Sequence, residues 1–346
     1  MRRQLNTVYV TTEGAWLRKD GENIVMEVDG ETRARLPAHM LESLVCFGRV
    51  LVSPPLLGYC AEQGISVCYL STNGKFLARV EGPVSGNVLL RREQYRRSDN
   101  ATRCTAIVRN VLIGKVHNQR AVLSRGLRDY RSDLSAGARK ELEHVGQRLK
   151  RLATRLLGDA SLDILRGLEG EAAQAYFGVF DHLIRVQDGA MRFRGRSRRP
   201  PMDAVNALLS FLYTLLTHDC RSALESVGLD PAVGFLHRDH PGRPSLALDL
   251  LEEFRPFLAD RLALTLINRR QVSGRDFVQM DNGAVLMKEE TRKTVLIAFQ
   301  ERKREPLRHA FLNEKIEIGL FPAVQARLLA RHLRGDLDAY PPFLWK

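Results

Sequence analysis

Four side chains capable of acid, base or ligand chemistry, Glu169, His237, Asp249 and Glu252, stand out by their surroundings. Glu169 lies in LDILRGLEGEAAQAYFGVF, Leu162 to Phe180. Wound as a helix at about 100° per residue, this stretch brings Leu162, Leu165, Ala172, Ala173, Tyr176 and Phe180 within roughly 60° of Glu169, while Glu171 points the opposite way. An ionised carboxylate among hydrocarbon is costly unless it is paired. The position therefore implies a bound cation, a buried ion pair with a residue such as Arg166, or a helix face that lines a cleft.

His237 follows a short apolar segment in VGFLHRDHPGRPSLALDLLEEFRPFLAD, with His240 an alternative on spacing alone. In the helix that follows, Ala247, Leu251, Phe254 and Leu258 share one side; Asp249 and Glu252, three residues apart, project together from the other, with Glu253 at the margin. An acidic pair opposite an apolar face is ordinarily a solvated surface. Taken with Glu169 and one imidazole, the set suits a hard or borderline divalent ion. Mostly-oxygen ligation favours Mg²⁺ or Mn²⁺, and the nitrogen tilts the choice towards Mn²⁺. The absence of cysteine from these segments argues against structural zinc.

Arg192, Arg194, Arg196, Arg198 and Arg199 crowd a loop that ends at Pro200-Pro201. Their planar forks match phosphate oxygens. Pro201 suits the first turn of a helix on which Asn206 and Tyr213, seven apart, share a face. A second basic tract, LLRREQYRRSDNATR, carries Arg91, Arg92, Arg96, Arg97 and Arg103 around Tyr95, which could stack on a base, although a solvated helix face explains it equally well.

The elements that must position these residues divide the chain. Residues 1–82 read as β-rich: alternating runs are punctuated by Asp20-Gly21 and Asp29-Gly30, and the patch PPLLGYCAEQG has helical punctuation, Pro first and Gly64 last. VEGPVSGN marks a linker, assigned to residues 83–90. Beyond it, residues 91–346 read as a helical domain, with helices at about 88–97, 101–129, 135–157, 161–188, 201–227, 246–269 and 317–334, and one hairpin at Asn282-Gly283. The expected fold is α+β, a small β-rich N-terminal domain followed by a larger, mainly helical one.

The 346 residues carry 53 Lys+Arg against 40 Asp+Glu, a net charge of +13, which favours a polyanionic partner, nucleic acid before membrane. No apolar run nears the roughly 20 residues that span a bilayer, and the N-terminus lacks the apolar stretch of a secretory signal. The five cysteines, without a C-x-x-C pair, read as reduced thiols of a cytoplasmic protein.

The motifs LRGLEGEAAQAYF, RRPPMDAVNALLSFLYTLL, AVGFLH and LALDLLEEFRP, in that order, resemble the CRISPR-associated adaptation endonuclease–integrase family. The resemblance covers nearly the whole length, and the ending YPPFLW looks closest to the subtype I-C branch. It implies a prokaryotic enzyme that inserts new spacers into a CRISPR array by attack of a DNA 3′-hydroxyl on a phosphodiester. Metal ligation and catalysis would fall on Glu169, His237 and Glu252, with Asp249 the additional acid; many relatives carry aspartate at the Glu252 position, which leaves open whether Asp249 or Glu252 makes the direct bond. Asn206 and Tyr213 would support the site or its DNA. The implied partners are double-stranded DNA, a second copy of the chain as homodimer, dimerisation falling to the N-terminal domain, and a small ferredoxin-like protein. Rival readings of the same residues are a metal-dependent nuclease of branched or single-stranded DNA that does not join ends, and a non-enzymatic nucleic-acid-binding protein.

Overall fold

The computed structural model describes residues 7–72, 76–80, 82, 88–197 and 200–345. The expected linker is therefore described only at Val88, Leu89 and Leu90, which already belong to a helix, and Arg198 and Arg199 lie outside the described residues. The chain divides into two compact units.

The first unit contains two four-stranded sheets. Strands β1 (Thr7–Val10), β5 (Ser43–Phe47), β7 (Ser66–Leu70) and β8 (Phe76–Val80) form one in that order, parallel except for β8. The other runs β4 (Glu31–Pro37), β3 (Asn23–Val28), β2 (Trp16–Asp20), β6 (Leu51–Val52); β2 and β3 meet at the expected Asp20-Gly21 turn. Residues alternate inward, as pleating requires, so that Val10, Leu17, Ile24, Leu44, Cys46 and Val67 close one core with Leu56 and Cys60 of helix α1 (Pro54–Gln63). This unit also claims Glu289–Arg304, a helix from far along the chain whose Val295, Leu296 and Phe299 are buried. The sequence reading placed that stretch in the helical domain and did not recognise it as a helix, because charged residues flank its short apolar centre on both sides.

The second unit is helical: α2 (Val88–Asp99), α3 (Ala101–Asp129), α4 (Ala136–Leu156), α5 (Leu162–Gly178), α6 (Ala204–Ser226), α7 (Ser245–Phe254) and α8 (Arg261–Asn268), then, past α9 (Glu289–Arg304) of the first unit, α10 (Phe321–Arg334). Side-chain oxygens of Asn100, Ser135, Ser161 and Asp203 accept backbone N–H groups at the starts of α3, α4, α5 and α6. Helix α6 thus begins at Ala204, capped by Asp203, and not at Pro201. The helix expected over 161–188 ends at Gly178 and gives way to a 3₁₀ turn, Phe180–Leu183. The one expected over 246–269 is interrupted by a π-helical turn, Arg255–Asp260, at Pro256, which has no N–H for the regular ladder. The expected hairpin is present as β9 (Phe277–Gln279) and β10 (Val285–Met287), with Gly283 at φ 78° in the turn. All five cysteines are buried thiols, none of them in a disulfide.

Candidate active site

Helices α3, α5 and α7 meet where Glu169 and Glu252 converge on a single ammonium group. Lys115, buried on α3, forms an ion pair with Glu169 Oε1 and lies 2.7 Å from Glu252 Oε2. Arg255 in the π-turn holds the other oxygen of Glu252 at 2.9 Å. The ion-pair alternative for Glu169 is thus realised, with Lys115 and not Arg166 as partner; Arg166 instead donates to the Leu236 carbonyl and pairs with Asp163. Glu171 faces away, as expected, and pairs with Arg148 and Arg155. Helices α3 and α7 come this close beside Gly114, where a Cβ would stand 3.1 Å from Glu253 Cγ.

His237 is fixed by its loop. Gln94 donates to the Val233 carbonyl, the Cys104 thiol to that of Phe235 and Arg166 to that of Leu236. The backbone N–H groups of Phe235, Leu236 and His237 all donate to Asp249, at 2.6, 3.0 and 3.0 Å. Asp249 Oδ1 also lies 2.7 Å from His237 Nδ1. Such a carboxylate fixes the tautomer and leaves Nε2 as the free nitrogen. The loop approaches Asp249 at Gly234, where a Cβ would lie 2.8 Å from the carboxylate and from Ser245. The acidic face of α7 is therefore not a solvated surface: Asp249, Glu252 and Glu253 are all buried.

Glu252 and Glu253, adjacent in sequence, have opposite electrostatics. Burial would raise the pKa of Glu252, but the charges of Arg255, then Lys115, then His237 hold it well below the ordinary carboxylate range. Burial pushes Glu253 up to about 8, against the pull of donors from Tyr340 (2.6 Å), the Phe343 N–H (2.6 Å) and Gln325 (3.0 Å). Glu252 is the charged member and Glu253 an anchor for the C-terminal segment. Asn118, one turn from Lys115, completes that anchor by donating to the carbonyls of Glu253 and Phe343 and accepting from Trp345 N–H.

Asn206 and Tyr213 are buried and hold structure beneath the site. Asn206 binds Arg196, the Ser197 N–H, the Gly195 carbonyl and Asp203. Tyr213 donates to Asp260 at 2.5 Å, as Tyr176 does at 3.0 Å, with the guanidinium groups of Arg196 and Arg255 against its ring. Buried Asp260 is raised to about 6, mainly by burial. In the arginine loop, Arg196 is turned inward and Arg192 pairs with Asp181 at 2.9 Å, whereas Arg194 is exposed. In the second tract Tyr95 donates to Asp230, Arg97 pairs with Glu93 and Arg91 donates to the Gly228 carbonyl, so these residues tie α2 to the rest of the unit.

The donor set fits a hard divalent cation by its chemistry: two carboxylates already share one positive charge, Glu252 Oε2 has no well-directed hydrogen bond, and an imidazole nitrogen is left over. As they stand, no three His, Cys, Asp or Glu side chains among the described residues are grouped closely enough to hold an ion. Lys115, Arg255 and Asp260 were not anticipated. For Lys115 a signal existed, because Lys115, Asn118 and Gln119 make a polar i, i+3, i+4 stripe in line with the apolar Val108, Val111, Leu112 and Val122 of α3.

A family model described as "CRISPR associated protein Cas1" matches residues 8–301. A CRISPR-associated endonuclease Cas1 of Rhodospirillum rubrum is 60% identical over 347 residues, covering 100% of both chains. Among solved structures, a casposase bound to integration product superposes with a TM-score of 0.82 at 21% identity, covering 98% of this chain and 94% of that one. A Cas6-RT-Cas1–Cas2 complex gives 0.81 at 23%, covering 100% of this chain and 36% of the larger one. The chain belongs to the Cas1 family of CRISPR-associated endonucleases.

Proposed function

We propose that this protein is a divalent-cation-dependent DNA endonuclease and integrase, which inserts short duplexes into a CRISPR array through attack of a 3′-hydroxyl on a phosphodiester. The observation that carries the reading is the convergence of Glu169 and Glu252, from two helices, on one ammonium beside His237. Glu169, Glu252 and His237 Nε2 would hold Mg²⁺ or Mn²⁺. Such an ion supplies polarisation of the phosphoryl oxygen and acidification of the attacking hydroxyl. Glu252, kept charged by Arg255, is the direct ligand of the acidic pair; Asp249 spends its oxygens on three backbone N–H groups and His237, and is a positioning residue. Asn206 and Tyr213 act at one remove, holding Arg196 and Asp260. Arg194, with Arg198 and Arg199, would meet phosphate. The Lys115 ammonium occupies the two carboxylates that such an ion would need.

The resemblance supports a homodimer formed through the β-rich unit and a small ferredoxin-like partner, in the cytoplasm of a prokaryote with a subtype I-C array. The Cas1–Cas2 complex among the structural neighbours is consistent with such a partner. No helix of the described residues is long and apolar enough to cross a membrane.

The test is an integration assay with a labelled short duplex and a supercoiled array plasmid, with and without Mn²⁺ and the small partner. Joined half-site products are expected, and Glu252→Gln should abolish them while duplex binding persists. Nicks without joined products would leave a plain nuclease; binding with no ion-dependent chemistry would leave a non-enzymatic protein.

A further inference from the structure

Helix α3 offers a second chemical face, away from the carboxylates that meet Lys115. His117, Arg120, Ala121, Ser124, Arg125 and Arg128 step by three and four along one side of it and, with Trp345, line a groove of about 250 Å³. Among the described residues no carboxylate lines this groove. Arg125 has a carboxylate nearby, Asp129 at 3.4 Å, and its guanidinium lies 5.7 Å from the centre of the Trp345 ring. Arg120 is half-buried, Arg128 is exposed, and neither is paired with an acid among the described residues. The far wall is rigid, because Trp345 is buried and its backbone is bonded to Asn118 and His117.

Two guanidinium groups without an acid partner, those of Arg120 and Arg128, along a fixed wall are suited to bind phosphate. The stripe from His117 to Arg128 is about 16 Å long at ~1.5 Å per residue. One strand of B-DNA rises ~3.4 Å per nucleotide along the axis while winding around it, which sets successive phosphates about 6.5 Å apart, so the stripe spans two or three of them. A free phosphate or mononucleotide would fill only part of it. We infer that this groove is a second DNA-binding site, which grips the phosphodiester backbone of a DNA strand through Arg120, Arg128 and Ser124, apart from the carboxylate centre. The inference rests on the reading that the chain acts on DNA.

The experiment is fluorescence anisotropy of a labelled DNA duplex with the full chain across a KCl series, comparing wild type with the Arg120→Gln/Arg128→Gln double variant. With a contribution near 0.9 per phosphate contact, the slope of log K on log[salt] should fall in magnitude by about 1.8, and affinity at 0.1 M salt by about 60-fold. Arg120→Lys/Arg128→Lys, which keeps the charges, should retain most of the slope. In a Trp16→Phe background Trp345 is the sole tryptophan, and its emission should respond to the duplex. That response should be lost in the Gln double variant. A steep wild-type slope left unchanged by the Gln substitutions, with silent Trp345 emission, overturns the groove site alone; a flat wild-type slope overturns the nucleic-acid reading itself.

Discussion

Lys115→Met tests the centre of the site without touching a proposed ligand. The ammonium is buried, it meets the 3% exposed side chain of Glu252 and the 28% exposed side chain of Glu169, and methionine keeps most of its length. Removing one partner from a buried ion pair typically costs about 3–5 kcal/mol. Glu252 keeps Arg255 at 2.9 Å and Glu169 keeps contact with solvent, so the lower end, about 3 kcal/mol, is the expected loss. At about 2–4 °C per kcal/mol for a domain of 150–250 residues, the variant should melt roughly 6–12 °C below wild type in chelator. Mn²⁺ at about a hundred times its Kd contributes about 2.7 kcal/mol and should return most of that loss. In wild type the ion must first displace the ammonium, so the same titration should raise its Tm by less, and calorimetry should show at least tenfold tighter Mn²⁺ binding to the variant. Equal melting in chelator, or equal ion-induced shifts in the two proteins, would refute the idea that ion and ammonium share one seat.

Other expectations follow from neighbouring contacts. Asp249→Asn puts an amide where three N–H donors and an imidazole converge; Mn²⁺ affinity, measured by calorimetry, should drop about 10–100-fold, as for other partners of a ligating histidine. Gly234→Ala drives a methyl group to 2.8 Å from Asp249 and Ser245 and should destabilise by about 1–3 kcal/mol in urea unfolding, with loss of cleavage in proportion to the folded protein's misplaced His237. Glu253, raised to about 8 from 4.5, binds a proton more tightly when folded; its stabilising effect is complete below pH 4.5 and is lost as pH rises through about 8. Wild type should therefore lose roughly 1.4 kcal/mol per pH unit relative to Glu253→Gln between pH 5 and 8, and no more above that, in unfolding measured at each pH.

The sequence carried the architecture well wherever a local pattern carried it. The turns Asp20-Gly21 and Asn282-Gly283 and the Pro-to-Gly punctuation of α1 are all decided within a few residues. Glu169 was legible because its charge contradicts its helical face. The division of labour between Asp249 and Glu252 was not, since both project from the same side of α7 and only the loop at 234–237, arriving from elsewhere, takes up one of them. The partner of Lys115 was hidden by distance: a separation of 54 residues from Glu169 leaves no local trace of their pairing. The arginine loop misled in part, because Arg192 and Arg196 find Asp181 and Asn206, groups supplied by other segments. Helix α9 escaped because the compact unit it belongs to is otherwise made from the first 85 residues of the chain.

That last arrangement has a consequence for biosynthesis. A ribosome finishes the eight strands of the first unit when it reaches Val80, yet Val295, Leu296 and Phe299, buried on the helix that also belongs to that unit, emerge only after some two hundred further residues. At ~5–20 residues per second the nascent sheets wait about 10–40 s without that helix. During that interval the β half is exposed to chaperones, proteases and its own copies on neighbouring ribosomes, and the polysome is where misassembly of this protein would begin.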